Sequence, residues 1–211
     1  MRSLPDLFYN FHWVEPGIAA RASQAYAGFL AAFLTARGIR AVINLRGSNP
    51  GYRWWRYETD VCARLGIVHC DAKLNSRQLP TRAMLLDLLG AFETAPRPFL
   101  LKCSGGQDRT SFAAALYLLN AGGWNAMSQA GAQFARWPYL HFPRREQRWL
   151  QLFPAFACDQ AAGAALGEWL ATRYSPQDFK TWLEARGEAQ SFRRIYGAPL
   201  PTPPIAKIVR R

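Results

Sequence analysis

Lys102-Cys103-Ser104-Gly105-Gly106-Gln107-Asp108-Arg109-Thr110 is the stretch that decides how this 211-residue chain reads. It leaves the short apolar run 99–102, which suits a buried strand, and enters a helical pattern over 109–121 that stops at Gly122 and Gly123. A loop between a strand and a helix N-terminus turns successive backbone N–H groups inward, and Gly105 and Gly106 let it curl without Cβ clashes. The product is an anion-binding nest, with Ser104, Gly105, Gly106, Gln107, Asp108 and Arg109 as the expected phosphate-binding residues. Arg109 is placed to grip two phosphoryl oxygens at once. Cys103, at the base, feels the helix dipole, the N–H groups and Arg109, all of which favour thiolate. An ordinary cysteine, with a pKa of about 8.5, is only a few per cent ionised at neutral pH.

The pattern is specific. In this composition a cysteine followed six residues later by arginine is expected about 0.4 times by chance. Requiring the glycine three after the cysteine and a hydroxyl residue after the arginine lowers that to about 0.003, before the strand and helix are counted.

Working outward, apolar residues at Tyr26, Phe29, Leu30, Phe33 and Leu34 predict an amphipathic helix capped by Ser23 and ended by Gly38. Residues 41–45 (AVINL) read as a buried strand, 54–65 as a helix, 67–70 as a strand, and Pro80 as the first turn of a helix burying Met84, Leu85, Leu88, Leu89 and Phe92. Such alternation predicts an α/β sheet with helices packed on it. Further helices are expected over 125–135, 143–156 and 159–173, and one from Ser175-Pro176-Gln177-Asp178, a capping box with proline at the first helical position. The chain therefore divides into a domain over 1–156, a helical extension packed on it over 157–197, and a proline-rich basic tail over 198–211.

The 102–110 segment resembles the C-x5-R-[ST] phosphate loop of the protein tyrosine phosphatase superfamily, nearest its dual-specificity and bacterial tyrosine phosphatase branches. The likeness runs from about His12 to Phe156 and takes in VINLR at 42–46 and the Leu79-Pro80 helix start. It implies a dual-specificity-phosphatase-like α/β sheet flanked by helices, with the C-terminal helices as an extra. It further implies that Cys103 is a nucleophile forming a cysteinyl-phosphate, that Arg109 stabilises the phosphoryl group, and that Thr110 helps expel the thiolate during hydrolysis. Protein phosphotyrosine is the leading substrate by resemblance. A phospholipid head group at an anionic membrane surface and a non-catalytic phosphate-binding protein are the alternatives. One departure stands out: the family usually has histidine where this chain has Lys102.

A leaving alkoxide or phenolate needs a proton. Asp71, after the 67–70 strand and 32 residues before Cys103, is similar in spacing to dual-specificity phosphatases, and Asp108 inside the loop is its rival. Arg46 and Lys102 are candidate substrate contacts, Asn44 a residue that ties neighbouring backbone, and Trp54 and Trp55 either buried, on the rim of the site or in contact with a membrane surface. Asp60 and Asp87 read as surface charges.

Composition sets the bounds. Half the residues are hydrophobic, 14% aromatic and 19% charged, with a mean hydropathy of −0.16, which describes a globular chain rather than a disordered one. The net charge is +12, carried by 22 arginines and 4 lysines, and favours anionic partners. No nucleic-acid-binding signature accompanies it, so a phosphorylated protein or phospholipid is the expected partner. Cys62, Cys70, Cys103 and Cys158 have no metal-ligand spacing, and no cofactor or metal is expected, because the nest and Arg109 supply the positive charge. Residues 1–17 interleave Asp6, Asn10, His12 and Glu15 with apolar residues, unlike a secretory signal; a cytoplasmic location, with peripheral membrane contact as the alternative, is expected.

Overall fold

A computed structural model describes residues 3–25 and 28–198. The elements run α1 (Leu4–Phe8), β1 (His12–Glu15), β2 (Ala19–Ala22), α2 (Leu30–Thr35), β3 (Ala41–Asn44), α3 (Arg53–Arg64), β4 (Val68–Asp71), β5 (Gln78–Leu79), α4 (Arg82–Thr94), β6 (Phe99–Lys102), α5 (Asp108–Gly122), α6 (Met127–Ala132), α7 (Trp149–Ala161), α8 (Leu166–Thr172), α9 (Pro176–Ala185) and β7 (Arg194–Ile195). The main sheet has the order β1-β2-β6-β3-β4, parallel except for the β1–β2 pair. β5 and β7 form a small parallel pair of their own.

β3 and β6 are buried at every position, as parallel strands covered on both faces should be. Side chains alternate between the faces. Ala19, Ala41, Ile43, Phe99 and Leu101 enter one core with residues of α4, α5, α7, α8 and α9, whereas Ala20, Ala22, Val42 and Leu100 enter a second core with α2 and α3. The same alternation sends Cys103 into the α5 core and Lys102 toward α3.

The elements around the nest follow the sequence closely; other boundaries differ for local reasons. Pro80 precedes α4 instead of opening it, because Thr81 takes the cap and accepts a hydrogen bond from the Met84 N–H at 3.3 Å. The Pro80 carbonyl accepts from the Tyr174 hydroxyl at 2.7 Å. The first expected helix is shorter, beginning at Leu30, and its Tyr26 lies outside the described residues. Ser23 does not cap it; the Ser23 N–H bonds the Tyr9 carbonyl at 2.7 Å. Residues 123–126 form a 3-10 turn before α6, and Pro143 stays outside α7.

The boundary expected at residue 156 falls inside α7. That helix ends where Ala162 and Gly163 turn left-handed, at φ of 49° and 86°, which also divides the expected 159–173 helix. Phe153 and Phe156 of α7 pack against Trp169, Tyr174 and Phe179, so the C-terminal helices share one core with α5. Arg82 on α4 donates to the Tyr174 carbonyl at 2.9 and 2.7 Å, joining the layers again. Ser175 caps α9, as expected. Of the expected tail 198–211, all but Ala198 lies outside the described residues.

Candidate active site

The nest forms where β6 ends and α5 begins. Gly106 has a φ of +63°, and a Cβ there would stand 2.5 Å from the Ser23 nitrogen and 2.7 Å from the Ala22 carbonyl carbon. Glycine is therefore required twice over, for conformation and for space. The loop rests on the end of β2: Gln24 N–H donates to the Ser104 carbonyl at 3.1 Å, and Asn10 Nδ2 donates to the Gly106 carbonyl at 3.0 Å.

Cys103 sits at the base, 3% exposed. Burial alone pushes its thiol up, but the Arg109 charge, the Thr110 hydroxyl and the backbone N–H groups of Gln107 and Gly106 outweigh it and hold the pKa below the ordinary value. Thr110 Oγ1 is itself buried and meets no conventional hydrogen-bond partner, leaving the sulfur as the group it serves. Arg109 is half-buried and donates to Ser104 Oγ at 2.9 Å.

Lys102 is 1% exposed. Its ammonium lies 2.5 Å from Glu58 Oε1 and donates to Gln24 Oε1 at 2.8 Å, so it is engaged on the α3 face and is not the substrate contact expected of it. Glu58 also meets Nε2 of His69 at 2.9 Å and accepts from Gln24 Nε2 at 2.6 Å. Because Gln24 bonds the Ser104 carbonyl through its own backbone, Lys102 buttresses the loop from behind. Arg46 lies over Trp54, its Cζ 3.4 Å from the ring centroid, and its Nη1 is buried without a partner.

Asp71 is exposed at the end of β4 and is paired in register with Asn44, which is paired with Lys102. Asp71 thus lies two strands from β6, a backbone separation of roughly 10 Å, and its side chain shares the α3 face with Asn44 and Lys102 while Cys103 turns to the other face. Asp71 Oδ1 accepts from Asn44 Nδ2 at 2.6 Å and its Oδ2 from Trp55 Nε1 at 3.0 Å. Asn44 also ties local backbone, donating to the Gly47 carbonyl at 3.0 Å and accepting from the Arg46 N–H at 3.1 Å.

Asp108 lies in the first turn of α5, and its Oδ2 accepts from Gln147 Nε2 at 2.8 Å. Burial raises its pKa above the usual aspartate value against the pull of Arg109, Gln147, Arg144 and Arg77. Burial, with Arg21 nearby, pushes His141 down to about 4, so the 3.5 Å approach of its Nδ1 to Asp108 Oδ1 involves a neutral ring near pH 7.

The structure therefore gathers Cys103, Ser104, Gly105, Gly106 and Gln107 in one loop with Asp108, Arg109 and Thr110 in the first turn of α5, and sets Arg46 and Asp71 along the neighbouring strand ends. Sequence reasoning missed Arg21, Gln24, Glu58 and Gln147, which are all buried beneath or beside the nest. The one available signal was polar residues inside otherwise small or apolar runs, such as Arg21 in Ile18-Ala19-Ala20-Arg21-Ala22. Among the described residues no group of His, Cys, Asp and Glu could hold a metal ion. A cavity of about 920 Å³ between α1 and α2 is lined by rings such as Phe8, Phe11, Trp13 and Phe29. Its one cation, Arg37, is already paired with Asp6, so it is unsuited to phosphate.

No family model and no curated protein matches the chain. Solved structures do. The crystal structure of P. aeruginosa TpbA superposes with a TM-score of 0.59 at 17% identity, covering 82% of this chain and 96% of that one. The Tk-PTP G95A mutant gives 0.55 at 17% identity, covering 71% and 96%. PTPMT1 gives 0.53 at 13% identity, covering 72% and 98%. With its glycine-rich loop between β6 and α5 and its mainly parallel sheet between two helical layers, the chain has the fold of the protein tyrosine phosphatases.

Proposed function

We propose that this protein is a cysteine-dependent phosphomonoester hydrolase. The observation that carries the reading is the buried Cys103, ringed by the Gly106 and Gln107 N–H groups, the Thr110 hydroxyl and Arg109, which together hold its pKa below the ordinary value against burial. The thiolate attacks phosphorus, the S–P bond forming as the ester P–O bond breaks. Asp71 gives its proton to the departing oxygen, and its carboxylate then takes one from the water that cleaves the S–P bond. Thr110 stabilises the thiolate as it leaves. Charge on the three equatorial oxygens is met by the nest and by the planar grip of Arg109. The raised pKa of Asp108 favours it as a second candidate for the acid, since a donor must hold its proton near neutral pH.

The leading substrate is a phosphorylated protein, with phosphotyrosine first. A phospholipid head group is a second reading, favoured by the segment 136–145. Trp137 and Phe142 are 74% and 55% exposed there, among exposed Arg136, Arg144 and Arg145, while His141 and Gln147 reach Asp108 behind them. No helix among the described residues is long and apolar enough to cross a membrane, so any lipid contact would be made at the surface. The deciding experiment is phosphate release from a panel of aryl phosphate, phosphotyrosine peptide and phosphoinositide vesicles, with a chelator present, by wild type and Cys103→Ser. Release by the wild type alone supports the reading. Comparable release by the serine variant, or none from any substrate by the wild type, overturns it.

A further inference from the structure

Arg21 on β2 is fully buried, on the same face of the sheet as the α5 core that takes Cys103. Every hydrogen-bond partner of its guanidinium is neutral. Nη1 donates to the Gln133 carbonyl at 3.1 Å and to Gln133 Oε1 at 2.9 Å; Nη2 donates to the Gly106 carbonyl at 3.1 Å and to Ser111 Oγ at 2.8 Å. Nε has no partner, and the Tyr139 ring covers the group, its centroid 4.2 Å from Cζ. A charge taken out of water without an opposite charge is strongly unfavourable, so something anionic is needed to offset it.

The anion is at hand. The Gly106 carbonyl and the Gln107 N–H belong to one planar peptide, so fixing the carbonyl on Arg21 and Asn10 fixes the N–H on the opposite side, where it faces Cys103. Gly106, being glycine at positive φ, has no Cβ to resist a flip of that peptide, and the two side chains supply the restraint.

We propose that Arg21 is the buried counter-cation of the Cys103 thiolate and the positioning residue that locks the Gly106–Gln107 peptide in its anion-binding orientation. The proposal rests on Cys103 being the reactive group of the site. Burial lowers the pKa of Arg21 to about 10, while Tyr139 and Cys103 hold it up, and no carboxylate contributes. Arg109 from α5 and Lys102 from β6 also act on the sulfur, and about Arg21 itself stand Tyr139, His141 and, paired with it on β1, His12. His141, near Arg21, is neutral, and Lys102 is already matched by Glu58.

The test is the pH dependence of Cys103 alkylation by iodoacetamide, followed on the Cys103 peptide by mass spectrometry so that Cys62, Cys70 and Cys158 do not interfere. Folding of each variant is checked by its thermal transition. Arg21→Gln is expected to raise the midpoint by about one pH unit, a roughly tenfold loss of thiolate below it. Arg21→Lys, which keeps the charge, is expected to stay within about half a unit of wild type, and it decides the matter where the glutamine chain does not fold. A folded glutamine variant with the wild-type midpoint, or a lysine variant shifted by a full unit, overturns the proposal. Alkylation needs no substrate, so a wild type that hydrolyses nothing would refute the proposed function while leaving this inference to stand or fall on its own midpoints.

Discussion

The two faces of the sheet treat their buried cations differently. On the α3 face Lys102 is matched by Glu58, which His69 and Gln24 hold in turn, and the charge is neutralised inside the protein. On the α5 face Arg21 has neutral partners only, and the nearest place for its counter-charge is the nest. Both cations flank the same cysteine, one on its own strand and one on the neighbouring strand. The matched one serves as a brace, because its field is cancelled close by; the unmatched one keeps a field that an anion at Cys103 can use. The faces differ in packing as well. The α5 face carries the larger cluster, with Phe153, Phe156, Trp169, Tyr174 and Phe179, while the α3 face has a smaller one built on Phe11, Phe33, Leu34, Val42 and Val61.

The heaviest perturbation removes that packing. Truncation after Phe156 strips Trp169, Leu170, Tyr174, Phe179 and Leu183 from the α5 face. At about 1.5–3 kcal/mol each, these approach the whole stability of a domain, about 5–15 kcal/mol. The truncated chain is expected to lose its cooperative thermal transition and all activity; a folded, active truncation would show that the sheet and α5 are self-sufficient.

Next comes the brace. Glu58→Gln leaves the Lys102 ammonium buried without its counter-ion and is expected to destabilise the protein by about 3–5 kcal/mol, read by urea unfolding. Adding Lys102→Met should restore most of the loss, since both charges are then gone. The same pair has a pH signature. Although burial pushes Glu58 up, His69 and Lys102 hold its pKa below the usual carboxylate value. Its stabilising contribution is therefore present above the unfolded pKa of about 4.3 and is lost as pH falls through the folded value. The double variant should show a shallower loss of stability on acidification than wild type, and an unchanged acid slope would contradict the ionised pair.

A smaller effect separates the two carboxyl groups, Asp71 at the strand edge beside Asn44 and Asp108 on α5. Asp71→Asn is expected to slow phosphotyrosine or alkyl phosphate hydrolysis by about 10²-fold and an activated aryl ester much less. Asp108→Asn should lack that contrast if it only shapes the nest. The reverse pattern in kcat would move the proton to Asp108, whose burial already raises its pKa.

What was legible in the sequence is what is contiguous. The nest, the strands at 41–44 and 99–102, and the cap at Ser175 are each written in adjacent residues, and the physics that forms them is local. Arg21 was not legible, because its meaning comes from Gly106, Ser111 and Gln133, between 85 and 112 residues away. Lys102 read as a departure from a family pattern, and only the distant Glu58 explains it. The boundary at 156 was drawn where the resemblance ends, and α7 runs through it to Ala161, because a helix stops at its local αL turn and not where a likeness fades.

Trapping the intermediate decides whether the nest makes Cys103 a covalent nucleophile. With an activated aryl phosphate, loss of the leaving group is fast and hydrolysis of the enzyme adduct limits turnover, so label from a radiolabelled phosphoryl group should accumulate on the protein. Rapid denaturation and proteolysis are expected to place that label on the peptide containing Cys103 in wild type, and nowhere in Cys103→Ser. Phosphate release at full rate with no label ever reaching that peptide would rule out a cysteinyl-phosphate.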